Sequence, residues 1–401
     1  MLSLPDVSPR AMRVYRDAIV VDTHNDMPSK VLDEGYDPDV RHTPAEGHTD
    51  IPRLVESGLT AQFMAAWVDA PYALRQPDGS FERALRYMEA IHAFICRNPG
   101  SLLFASTADE IRQAKREGKV AILIGVEGGH AIEESLDKLR ELRMRGASYL
   151  TLTWNNGNQW AGSSIGSGGT RTGGLTPFGE NVIREMNRLG MLVDLSHTSE
   201  ETFYDAIAVS RSSVIASHSC ARAISDHPRN LTDHQLRAIA KNGGVVQVNF
   251  FPRFIETRYR VAMDDVESAV DARRSSEGDG SGGQSTHAPD AEALRRTMMA
   301  AIPPTPLALL IDHIDHIARV AGEDHVGALG SDFDGISATP AQMADVTAMP
   351  RVAQALLDRG YSEEATKKML GGNVLRVLEE AARDRDGEAG IRDQELLSPD
   401  P

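Results

Sequence analysis

The stretch AIVVDTHNDMP, residues 18–28, joins an apolar, β-branched run to a histidine, an asparagine and an aspartate. Ile19, Val20 and Val21 read as a strand buried on both faces, because such strands carry continuous apolar runs rather than alternation. Successive side chains on a strand point to opposite faces, so His24 and Asp26 share one. An imidazole and a carboxylate then converge where the strand ends. They form a metal-ligand pair, a catalytic pair, or a hydrogen bond that closes a loop, and the rest of the chain has to decide.

The pattern recurs. Apolar runs follow at 60–68 (TAQFMAAWV), 120–127 (VAILIGVE), 148–154 (SYLTLTW), 191–197 (MLVDLSH), 213–219 (SVIASHS), 244–250 (GVVQVNF) and 325–335 (HVGALGSDFDG). With the first they make eight strand candidates, and amphipathic stretches such as PFGENVIREMNRLG (177–190) lie between them. Buried strands alternating with helices indicate a parallel sheet, and eight such units in 401 residues predict a single α/β domain, a (β/α)8 TIM barrel. One segment breaks the rhythm. SSEGDGSGGQSTHAPD (275–290) is rich in Gly and Ser, without apolar periodicity, and reads as a flexible insertion between the seventh strand and the next helix. The chain closes on a polar tail from about 383.

Bulk composition narrows the function classes. There are 42 basic against 58 acidic residues, a net charge of −16, which opposes binding to nucleic acid or an anionic membrane. No apolar run reaches the ~18 residues that span a bilayer. Two cysteines, Cys96 and Cys220, imply no disulfide framework. The N-terminus lacks the apolar core of a signal peptide, so a cytoplasmic location is expected.

In such a barrel the chemistry sits at the C-terminal ends of the strands. There the runs end in His24 and Asp26, Glu127, His197 and His218, and the last leads into Asp332 and Asp334. Carboxylates crowded together repel and take up protons, a difficulty that a divalent cation removes, and this ligand mixture suits zinc. The groups are too many for one tetrahedral zinc and suit two metals about 3.5–4 Å apart, bridged by a carboxylate and hydroxide. Hydrolysis of an amide or ester is the natural reaction.

Other polar residues have simpler readings. His130 belongs to the loop GGHAI, and His48 and Asp50 precede a helix, where capping outweighs metal binding. His313 and His316 fall at helical spacing and read as a helix surface. Asp22 and Asp194 stand just before ligand candidates and orient them. Trp67 reads as packing. Arg229, in DHPRNLTD, either grips a substrate carboxylate in a bidentate fork or pairs with Asp226 or Asp233 at the surface.

The pieces VVDTHNDMP, GVEGGHAI, LTPFGENVIREMNRLGMLVDLSH, VIASHS, HPRNLTD, GSDFDGI and LGGNVLRVLEE together resemble the membrane (renal) dipeptidase family of metallopeptidases, in the family's order. The resemblance implies two zinc ions in a (β/α)8 barrel. By motif position His24 and Asp26 hold one metal, Glu127 bridges, and His197 and His218 hold the other. Asp332 is the general acid/base, and Arg229 grips the free carboxylate of a small dipeptide-like substrate. A homodimer is also implied. The family commonly has a histidine directly after LTLT that contacts the scissile carbonyl, and Trp154 stands in that place here. An indole donates a hydrogen bond but carries no charge. Asn155, Asn156 or Asn158 is then expected to supply the missing donor, with Trp154 and Asn155 on the substrate side. The expected activity is zinc-dependent dipeptide hydrolysis by a metal-bridging hydroxide. Its rivals are deacylation of N-acyl amino acids, lactone hydrolysis, and a catalytically weak metal-binding scaffold.

Overall fold

The computed structural model describes residues 4–71, 79–166, 173–277 and 289–396. Its strands are β1 (Val21–Asp22), β2 (Ala61–Trp67), β3 (Leu102–Phe104), β4 (Val120–Glu127), β5 (Ala147–Thr151), β6 (Leu192–Asp194), β7 (Ile215–Ala216), β8 (Val245–Asn249) and β9 (Val326–Gly330). Eight of them run parallel in the order β1-β2-β4-β5-β6-β7-β8-β9, with helices between, as a (β/α)8 barrel. The seam between β9 and β1 is drawn together by Thr23 N–H on the Leu329 carbonyl (3.1 Å) and Asp332 N–H on the His24 carbonyl (3.1 Å). The ninth strand is the short β3, absent from the sequence expectation. It pairs with the first residues of β4, Leu102 beside Val120, before β5 takes over that edge from Ile124 onward.

Both faces of the strands are buried, which explains the continuous apolar runs. Outward residues such as Met64, Ile122, Ile124, Leu150 and Val246 pack on the helices. Inward residues Val21, Phe63, Leu123, Tyr149, Leu192, Ile215 and Val245 fill the barrel together with Val374, Val377 and Leu378. Those last three belong to the helix Asn373–Leu396, which stoppers the N-terminal end of the barrel. Its Asn373 amide donates to the Val326 carbonyl at the foot of β9 (2.8 Å), and Arg376 donates to Gly243 below β8 (2.6 Å). The polar tail expected from about 383 therefore continues this helix as far as Leu396. No described helix is long and apolar enough to cross a membrane.

The insertion has more order at its flanks than its composition suggests. Helices Thr257–Glu277 and Pro289–Ala301 pack on each other through Val266, Val270 and Ala291. The Gly/Ser-rich residues 278–288 between them lie outside the described residues.

His313 corrects the expectation of a helix surface. It is fully buried in the helix Leu307–Ala321, accepting from Ala221 N–H on Nδ1 (3.0 Å) and donating from Nε2 to the Ile255 carbonyl (3.0 Å). His316 on the same helix is nearly as buried and meets Asp233 at 2.6 Å. Helical spacing names the element but not which face turns inward. Burial pushes His313 down to about 4, and it does the same to His130, whose Nε2 donates to the Val68 carbonyl. The expected consequence is acid lability. Above pH 6.5 both histidines are neutral in either state, and their contribution is intact. Below 6.5 the unfolded chain takes up protons that the folded one refuses, so stability falls as pH drops toward 4, by on the order of 3 kcal/mol per histidine. Urea unfolding at pH 7.5 and 5 reads this loss, and a His313→Gln variant should lose part of the slope.

Candidate metal centre

Several strands deliver polar groups to the mouth of the barrel. The register sets Trp67 beside Glu127, Glu127 beside Thr151, and Thr151 beside Asp194, so these four share the inward face. His24 follows β1, and its Nδ1 lies 2.9 Å from the Tyr149 hydroxyl oxygen. That hydroxyl donates to the Thr23 carbonyl (3.1 Å), so the proton between ring and phenol belongs to His24 Nδ1. In the neutral ring His24 Nε2 therefore presents a lone pair, and that atom is buried without a hydrogen-bond partner. Gly125 makes room for this arrangement, since a Cβ there would stand 2.0 Å from Tyr149 Cζ.

His218 is oriented by a relay. Its Nδ1 lies 2.7 Å from Ser217 Oγ, and that hydroxyl donates to Asp194 Oδ2 at 2.6 Å. The ring must donate from Nδ1, which leaves Nε2 bare. His197 lies 3.0 Å through Nδ1 from Asn155 Oδ1, so its Nε2 is bare as well. The two bare nitrogens stand 3.0 Å apart. Glu127 Oε1 is 3.0 Å from His197 Nε2 and 3.5 Å from His218 Nε2, while Oε2 is 3.5 Å from His24 Nε2. Asp26 Oδ2 is 3.3 Å from His24 Nε2. Acceptors thus face acceptors, and each imidazole donates its other N–H outward, as metal-bound histidines do. The residues fit divalent cations. His24, Glu127 and His218 offer donor atoms that all lie within 4.8 Å of one another, as do His24, Asp26 and Asp332.

With no cation present the charges divide: burial lowers His24, but Tyr149, Glu127 and Asp26 outweigh it and raise the ring well above 6.5, so its Nε2 carries a proton that a bound cation would displace. Burial raises the Asp26 carboxyl above its usual range, with the Glu127 charge adding to the effect. Burial, Asp26 and Glu127 push Asp332 up to about 8. Burial opposes the charge of Glu127 too, but His24, His197 and His218 outweigh it and hold its carboxyl well below the ordinary value. Burial depresses His197 to about 3 and His218 well below 6.5, so both stay neutral and able to bind a cation.

His197 and Asp332 both have positive φ, +68° and +61°. Non-glycine residues in that region are uncommon and strained, and they cluster where function fixes the backbone. Asp332 accepts from Asn249 Nδ2 on Oδ2 (2.8 Å). Gly335 allows this packing, for a Cβ there would sit 2.3 Å from Asp26 Oδ2 and 2.7 Å from Asp332 Oδ1. The strand has ended at Gly330, and Asp334 does not continue it.

Arg229 is buried, and its Nη2 donates to the His218 carbonyl (3.2 Å). Its Nε has no partner, and its guanidinium lies 5.4 Å from the Phe254 ring centre. The surface ion pair does not form: Asp226 is exposed, and Asp233 bonds His316. Trp154 is partly exposed beside the centre, 6.5 Å from the His197 ring and edge-on to Trp67 at 5.1 Å. Trp67 thus packs, as expected, and its partner is Trp154. Asn155 stands behind His197, and Asn158 is engaged within its own loop by Leu152, Trp160 and Ala161. Tyr149, Thr151, Ser217 and Asn249 had no sequence signal, because they reach the site across neighbouring strands. Asp194 orients His218 through Ser217, whereas Asp22 accepts from Ser331 Oγ at 2.6 Å and ties β1 to β9.

The fold is similar to that of the probable dipeptidase PvdM from Pseudomonas aeruginosa, with TM-score 0.81 and 24% identity over 94% of this chain and 100% of that one. A metallo peptidase from Rhodobacter sphaeroides, liganded with a phosphinate mimic of the dipeptide L-Ala-D-Ala, is 27% identical. Its TM-score is 0.72, over 91% of this chain and 100% of that one. The dipeptidase AC, a metallo peptidase of family M19, is also 27% identical, with TM-score 0.71 over 91% and 98%. Residues 8–390 match the model of the membrane dipeptidase family, peptidase family M19. The chain belongs to that family of metal-dependent peptidases, and it is a hydrolase of peptide bonds.

Proposed function

We propose that the protein hydrolyses dipeptides with two zinc ions. The supporting observation is a ring of bare acceptors around Glu127 that faces a buried arginine lacking a carboxylate partner among the described residues. His24, Asp26 and Glu127 would hold one cation, and Glu127, His197 and His218 the other. When bound, such a pair supplies an activated water and polarises the scissile carbonyl. Asp332 takes the proton of the attacking water and delivers it to the departing amide nitrogen. Asn249 fixes one Asp332 oxygen and leaves the other for the transfer. Arg229 binds the C-terminal carboxylate.

Barrel geometry then orients the substrate. Arg229 follows β7, the sixth strand of the barrel, and lies across from β2, the second. With the carboxylate on Arg229, the N-terminal residue extends toward Trp67 and Trp154. Trp154 lines that side, and Asn155 serves it through His197. The relative bound to an L-Ala-D-Ala mimic supports a substrate of this size. A homodimer completes the reading and is checked by sedimentation equilibrium.

The test is hydrolysis of L-L and L-D dipeptides by protein of measured metal content, with a chelated control. Chelator-sensitive cleavage by protein holding about two zinc ions per chain supports the proposal. Metal-loaded protein that cleaves only N-acyl amino acids or lactones overturns it. Arg229→Ala should lower kcat/KM by about 10²-fold on free dipeptides, in line with the loss of a buried charge-assisted contact. On C-terminally amidated ones the change should be small, and equal losses on both would refute the carboxylate grip.

A further inference from the structure

The second His-x-Asp of the sequence, His48-Thr49-Asp50, divides into two devices. Asp50 caps the helix Ile51–Ser57 by accepting from Arg53 N–H (2.8 Å), and it also binds the Arg53 guanidinium at 2.6 Å. Arg53 is buried and reaches Asp345 at 3.2 Å, and Val346 N–H donates to the His48 carbonyl (3.1 Å). His48 is therefore mounted on a rigid base. From there it faces the turn that carries Asp332.

The contact is reciprocal. His48 N–H donates to Asp334 Oδ1 at 2.7 Å, and Asp334 N–H donates to His48 Nδ1 at 2.9 Å. Between the two aspartates, Phe333 is fully buried, lies 5.3 Å from the His48 ring, and accepts from Asp26 N–H through its carbonyl (2.8 Å). Asp332 and Asp334 both have positive φ, +61° and +68°. Two strained residues in three persist only where their surroundings fix them. Without the ring, the half-buried Asp334 N–H would lose its acceptor.

We infer that His48 is a positioning residue: its two hydrogen bonds with Asp334 lock the turn after β9 and so aim the Asp332 carboxylate at the metal centre. The inference rests on the acid/base role proposed for Asp332. Misplacing a reacting group by about 1 Å costs roughly 10²-fold in rate, and loss of a supporting partner about 10–100-fold.

Two amide substitutions separate this role from bulk or polarity. Asn at 48 carries its oxygen where Nδ1 was, and Gln carries it one bond too far. His48→Gln in the zinc-loaded full chain should lower kcat on a cleaved dipeptide by about 10–100-fold, with KM and metal content unchanged. His48→Asn should recover kcat to within a few-fold of wild type. Equal activity of the two variants, or a loss explained by KM or by released zinc, overturns the inference. Asp332→Asn run alongside keeps the two readings apart. If that variant stays active, the acid/base role fails and the inference with it. If it is inactive while His48→Gln matches wild type, only the positioning role fails.

Discussion

Asp332→Asn is expected to lower kcat by about 10²–10⁴-fold while the metals stay bound. The substitution is isosteric, and its amide oxygen can still accept from Asn249 Nδ2, which now holds Asp332 Oδ2 at 2.8 Å. The turn also survives, because Asp332 N–H on the His24 carbonyl and Asp334 N–H on His48 are untouched. What disappears is an oxygen able to take a proton from water and return it to nitrogen. Steady-state kinetics and elemental analysis of one preparation decide the matter. Zinc lost together with activity would place Asp332 among the ligands, in line with its proximity to His24 and Asp26.

Glu127→Gln should remove metal and activity together. Glu127 is the carboxylate that touches both halves of the centre, with one oxygen toward His24 and the other toward His197 and His218. An amide brings one weaker donor oxygen and an NH₂ group. The NH₂ satisfies a bare imidazole nitrogen directly, so the variant folds around its own hydrogen bonds and no longer needs a cation. Loss of several kcal/mol of transition-state stabilisation corresponds to a fall of about 10³-fold or more in kcat/KM. Added zinc should raise the melting temperature of the wild type, because a ligand that binds only the folded state stabilises it. The variant should show little rise. A variant that still holds two zinc ions and melts with wild-type zinc dependence would rule out the bridge.

The barrel was legible because its strands are buried on both faces and end in polar residues. AIVVDTH and VAILIGVE carry both signals, and their ends meet at His24 and Glu127. Asp332 was legible as a strand-end residue, but its positive φ was not, since Ser331 and Phe333 beside it give no sign of a turn. β3 leaves no mark on the sequence because three residues, Leu102–Phe104, are too few to show a period. The helical flanks of the insertion were obscured by the Gly/Ser stretch between them. His48 stands two residues before Asp50, whose capping role is local. The partner of His48 lies 286 residues away, beyond any sequence window. The packing partner of Trp67 is also remote, since Trp154 sits two barrel strands further round.

The stopper helix has a consequence for how the molecule is made. Ribosomes deliver the chain from its N-terminus, yet the floor of the barrel is sealed by Val374, Val377 and Leu378, and its seam by Ser331 on Asp22. Until those late residues emerge, the inner faces of β1, β2 and β4 have nothing to close against. Such long-range closure makes for slow folding and prolonged exposure of apolar strands. Strands β1, β2 and β4 therefore stay open until β9 and the stopper helix are in place. Because Ser331 precedes Asp332 by one residue, the step that closes the wall also brings the Asp332 carboxylate beside His24 and Asp26.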